Sequence, residues 1–149
     1  MTSMGDSPRW FAVCCLTALL ALYVIGAVSH GSLRHAVQTL PLWFPIVMGF
    51  RRHELARWSG LPCLIFWLVI MIFIWLFLLG WARIVSGHFS PMEIAMTMVV
   101  GAACVCGIRI AWHWRTTVRP SVAAVVLVLF AALQLLAFRI SVLPSIANR

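Results

Sequence analysis

The chain has 149 residues, of which 64% are hydrophobic and only 9% charged; soluble domains average about 25% charged. That composition leaves no segment able to fold as a separate water-soluble domain and predicts one membrane domain over 1–149. All 11 basic residues are arginine, against three acids, for a net charge of +8. So basic a soluble protein would suggest a nucleic-acid ligand. Here the arginines flank apolar runs and no basic stripe lies clear of them, so head-group contact is the expectation and nucleic acid is not.

Asp6-Ser7-Pro8 supplies a helix start, a capping side chain followed by proline where no amide hydrogen is needed. The first apolar run, 10–29, is long for a signal-peptide core and has only Arg9 before it, so it reads as a retained first span. His30-Gly31-Ser32 breaks it. The apolar element at 36–50 holds Pro41 and Pro45 and is short for a bilayer core about 30 Å thick. A re-entrant or interfacial segment suits that length, and a short kinked fifth span is the alternative. Missing backbone donors require that it be covered by protein.

Arg51, Arg52, Arg57 and Trp58 then fall in a stretch suited to an amphipathic turn in the head-group layer, with Glu54 and Arg57 spaced to pair. Ser59-Gly60-Leu61-Pro62 is expected to break the chain before the second long span, 61–82, which has no charge before its end and is bulky throughout. A tight connection at 86–89 leads to Ser90-Pro91-Met92-Glu93. Ser90 caps, Pro91 fits the first helical position, and Glu93 completes a capping box for the span at 92–111. Arg109, Trp112, Trp114 and Arg115 mark the interface at its end. Arg119-Pro120 opens the last span, 121–138, and Arg139 and Pro144 close the chain. The expected fold is an all-α polytopic bundle.

Arginine asymmetry orients it. With four crossings, Arg34, Arg51, Arg52, Arg57, Arg109, Arg115 and Arg119 share one side, and Arg9, Arg83, Arg139 and Arg149 the other. With five, Arg9 and Arg34 exchange sides. Either way 51–57 and 109–119 are expected in the cytoplasm and the C-terminus outside, while the N-terminus depends on the crossing number. Trp10, Trp43, Trp58, Trp81, Trp112 and Trp114 are expected near span ends. Trp67 and Trp75, eight apart, share a face and read as packing residues.

Helix contact is the chemistry this composition favours. Gly101, Ala103 and Gly107 give the third span a small-residue face, and Ala124 and Ala131 give the fourth another, so these two spans are expected to pack together or against another protein. Gln134 is expected to make an interhelical hydrogen bond. The five cysteines, all in or near spans, read as apolar filler. His30 and His113 are the candidate ligands for a haem b, since in the four-crossing arrangement both end spans on one side. No cofactor or metal is otherwise expected, and local capping or pairing accounts for Asp6, Glu54 and Glu93.

The leading function is therefore non-catalytic: an accessory, assembly or regulatory subunit of a larger membrane complex. Its partners would be membrane lipids and other integral membrane subunits or a second copy of itself. A small transporter or channel, built as a homo-oligomer, is the alternative, and a haem- or quinone-binding subunit is a third class. A membrane-embedded immunity protein also fits. Arginine without lysine points to a GC-rich bacterial source and its inner membrane.

Overall fold

The computed structural model describes residues 7–81 and 89–143, which are all-helical. Its helices are α1 (Ser7–Val28), α2 (Ser32–Phe50), α3 (Leu55–Leu78), α4 (Pro91–His113) and α5 (Pro120–Ser141). Four of them, α1, α3, α4 and α5, are long and apolar enough to cross a bilayer and mark an integral membrane protein. The fifth, α2, is the proline-bearing element. The expected helix start at Asp6, the connection at 86–88, and Arg83, Pro144 and Arg149 lie outside the described residues.

α2 is longer than its apolar stretch. Its 19 residues give about 28 Å of helix at 1.5 Å per residue. It lies antiparallel along α1, with Gly49 against Ala12 and the Pro8 carbonyl at one end and Gly26 against His35 at the other. A re-entrant element that turns back half-way is thus not what forms. The helix has the length of the spanning alternative. Pro41 and Pro45 deprive Val37 and Pro41 of the amides their carbonyls would bond, and both rings face inward, buried between helices. The requirement that protein cover them is met.

α3 also starts earlier than expected, at Leu55, and runs through Ser59-Gly60-Leu61-Pro62 without a break. Packing overrides the local signal there. Ser59 bonds back to the Leu55 carbonyl at 2.9 Å, and Ala56, Ser59 and Gly60 are buried against the bundle. Arg57 and Trp58 therefore belong to the first turn of a long helix and not to a separate surface turn. The capping box at α4 is as expected: Ser90 Oγ accepts from Glu93 N at 3.2 Å, and Glu93 Oε2 accepts from Ser90 N at 2.7 Å.

The helices close into a ring in the order α1, α2, α5, α3, α4, with α2 and α3 also touching across it. Among the described residues α4 and α5 do not meet, so their small-residue faces do not pair with each other within the chain. The face on α4 serves α1 and α3 instead. Gly101 lies under the Trp75 ring, Gly107 lies against Leu64 and Cys14, and Ala103 is buried with them. On α5, Ala124 faces outward and Ala131 is half-buried. Close approach of backbones through small residues is the main source of cohesion where lipid removes the hydrophobic drive.

Candidate functional site

Polar side chains inside a membrane bundle are costly, so their location is the first guide to function. In this bundle they gather at one end. Where α1 and α3 end, α2 and α4 begin and α5 ends, a vestibule of about 370 Å³ is lined by all five helices. Its polar lining is Ser29 just after α1, Arg34, His35 and Gln38 from α2, and Glu93 and Thr97 from α4. Trp67, Ile70, Met71 and Ile74 of α3 and Phe138 of α5 supply an apolar wall.

The capping box that starts α4 fixes Glu93, leaving its second carboxylate oxygen outside the cap. His35 lies in the first turn of α2 and approaches the Gly31 carbonyl through Nδ1 at 3.1 Å. That ring nitrogen donates, so Nε2 is the one left for another partner. Thr97 accepts from Trp75 Nε1 at 3.2 Å and donates to the Ile94 carbonyl at 2.7 Å, tying α4 to α3.

Gln38 links the vestibule to a buried polar relay. Its Nε2 donates to Ser141 Oγ at 2.8 Å, and its backbone carbonyl accepts from Gln134 Nε2 at 3.0 Å. Gln134 makes the interhelical bond expected of it, though to α2. Two buried atoms nearby are left without a hydrogen bond, Trp67 Nε1 and Gln134 Oε1. An unmet buried polar atom costs about 1–3 kcal/mol, so each asks for a reason.

Beyond the vestibule the bundle is packed. Phe11, Cys15, Leu42, Cys63, Leu64 and Cys104 fill its other half and are fully buried. The recess has a floor.

The opposite end carries the arginine-rich residues. Arg57 donates to the Trp114 carbonyl and its guanidinium stacks 4.5 Å from the centre of the Trp58 ring. Glu54 Oε2 accepts from Thr117 N and Oγ1 at 2.7 and 3.0 Å. These two residues, expected to pair with each other, reach across to the α4–α5 connection. Arg51, Arg52, Arg109, Trp112 and Arg115 are exposed. Trp114 is not: it is 7% exposed and packs against Phe11 with ring centres 6.1 Å apart. Trp43 likewise departs from a span end, lying in mid-helix with its indole donating to Tyr23 Oη at 3.4 Å. Trp67 and Trp75 both face inward onto the bundle, in keeping with a packing role.

His30 and His113, paired as candidate haem ligands, lie at opposite ends of the bundle. His30 follows the end of α1 beside the start of α2, whereas His113 ends α4 near Ser7 and Pro8 at the start of α1. A 22-residue helix separates the two levels by about 30 Å, so one iron cannot take both. The sequence reading passed over His35 and Gln38. Their three-residue spacing puts them on one helical face, but only once the helix is extended back to Ser32, before the apolar stretch begins.

Compared with known proteins, the chain matches no protein family, and no curated protein or solved structure is significantly similar to it.

Proposed function

We propose that this chain is a non-catalytic accessory or regulatory subunit of a larger membrane complex, and that the vestibule is where it receives a small amphiphilic ligand. The observation that carries this reading is a polar recess, walled by all five helices, that ends on a packed apolar floor. A floored recess suits binding better than conduction. Its chemistry also suits recognition: hydrogen-bonding groups of both signs face an aromatic and aliphatic wall, as small-ligand sites require. Trp67, which lines the recess, has no hydrogen-bond partner for its buried Nε1 among the described residues. Assembly would use the outer side of α5, which carries Ala124, Val128 and Ala132 at four-residue spacing; among the described helices α5 touches only α2 and α3.

In this reading α2 is a fifth crossing. Residues 51–57 and 109–119 then face the cytoplasm together with the N-terminus, and the vestibule and C-terminus face the outside of a bacterial inner membrane. Extraction from the host membrane in a gentle detergent, followed by native mass spectrometry, tests the function. The expected result is a complex with another integral membrane protein and a small-molecule adduct on this chain. In the double variant Gln38→Leu/Thr97→Val the adduct should vanish while the partner stays. A lone, adduct-free chain would refute both parts. Solute flux through liposomes holding the pure protein would replace this reading with that of a transporter.

A further inference from the structure

A second cavity is an open groove along the seam between α2 and α5. It measures about 360 Å³, and its described lining is wholly apolar, including Val37, Leu40 and Phe44 from α2 and Phe130, Leu133 and Ile140 from α5. Leu40, Phe44, Leu133 and Ile140 are exposed, so in a spanning bundle the groove opens to lipid. It follows the two helices for about 10–15 Å, from the level of the vestibule towards mid-bilayer.

Groove and vestibule are lined by neighbouring residues of the same two helices. Val37 lines the groove and Gln38 the vestibule; Ala137 lines the groove and Phe138 the vestibule. Between them the seam carries two hydrogen bonds, from Gln38 Nε2 to Ser141 Oγ at 2.8 Å and from Gln134 Nε2 to the Gln38 carbonyl at 3.0 Å. Both end on Gln38, and Pro41 removes the amide that would bond the Val37 carbonyl, so α2 is locally weakened beside the seam. Gln134 is 1% exposed, and its Oε1 has no hydrogen-bond partner among the described residues.

We infer, on the reading of the vestibule as a ligand site, that the two cavities together bind a single-chain amphiphile. Its polar head occupies the vestibule, and its hydrocarbon tail crosses the seam and lies in the groove. The ligand enters from the bilayer, between α2 and α5. A cleft of this volume takes one chain, whereas a whole helix, about 10–12 Å across, does not enter it. Lipid is as apolar as the groove, so selection comes from the fit of the tail and the bonds of the head. Arg34 and Glu93 both line the vestibule, which suits a zwitterionic head with a phosphate and an ammonium.

The test is photolabelling of the full chain in neutral detergent with a lysophosphatidylethanolamine that carries a diazirine on its acyl chain, read by peptide mass spectrometry. Saturable labelling is expected on 37–44 and 130–140. Tail-less glycerophosphoethanolamine should suppress it, which ties the tail in the groove to the head in the vestibule. Leu40→Trp/Leu133→Trp fills the groove from two exposed positions and should lower the labelling about tenfold while melting at the wild-type temperature. Val105→Trp, exposed on α4, should change nothing. Ser141→Ala removes one seam bond and should speed the labelling; an unchanged rate would refute entry through the seam. Labelling spread over every lipid-facing helix, or unchanged in the groove-filling variant, would overturn the inference. Even then, glycerophosphoethanolamine raising the melting temperature of wild type but not of Gln38→Leu/Thr97→Val would keep the vestibule as a ligand site. A response to neither probe would refute both.

Discussion

Gly101 has the Trp75 indole lying directly on its α-carbon, so that a methyl group added there would come within 2.7 Å of Cζ2 and closer still to the ring edge. The same indole is held in place by its bond to Thr97. It cannot swing away without losing that bond. Gly101→Ala is therefore expected to destabilise the bundle by about 1–3 kcal/mol, the usual cost of overpacking a tight contact. Thermal unfolding in detergent would read it, with Ala102→Gly on the exposed side of the same helix as the control for backbone flexibility. That Gly101, Ala103 and Gly107 form a contact surface is legible from their spacing alone. Which helix they contact is not, because spacing describes one helix and contact needs two. Gln134 shows the same division: its isolation in an apolar run predicts a bond, while the carbonyl that receives it belongs to a residue 96 positions away.

Helix starts divide in the same manner between local and tertiary causes. The start of α4 is written into four adjacent residues, since a capping hydroxyl, a proline and an acid satisfy the first free amides without help from elsewhere. Ser90→Ala should lower stability by about 1 kcal/mol in the same unfolding assay, and Ser90→Asp should retain most of it. An equal loss in both variants would mean that the cap is not what starts this helix. The start of α3 has another origin. Ser59-Gly60-Leu61-Pro62 reads as a break, yet the helix passes through because Gly60 fits against Phe11 and Pro45 and the buried serine satisfies its hydroxyl on the preceding turn. For α2, the length of the apolar run understates the helix. Its first six residues, Ser32 to Val37, hold the arginine and histidine that line the vestibule, and polar residues at the head of a helix do not register as part of a span.

At the scale of the molecule, the odd number of antiparallel helices among the described residues puts the start of α1 and the end of α5 at opposite ends. Ser7 lies with the 51–57 and 109–119 connections, and Ser141 lies with the vestibule. Given the arginine bias, a C-terminal alkaline phosphatase fusion should be active, and an N-terminal fluorescent protein that folds only in the cytoplasm should glow. Termini reporting the same side would refute the fifth crossing, and reversed signals would refute the orientation.

The amino-acid order alone determined that the chain belongs in a bilayer, that its arginines gather at particular connections, and that a capped helix begins at Pro91. These are properties of single segments in contact with water, lipid or their own backbone, so each segment carries its own evidence. The ring order, the separation of α4 from α5, the inward turn of Trp114 and the meeting of Arg34, His35, Gln38, Glu93 and Thr97 were decided only by the tertiary structure. In a membrane almost every helix face is apolar, so hydrophobicity cannot tell inside from outside. What chooses between faces is the fit of small residues against large ones, and that exists only when both helices are present.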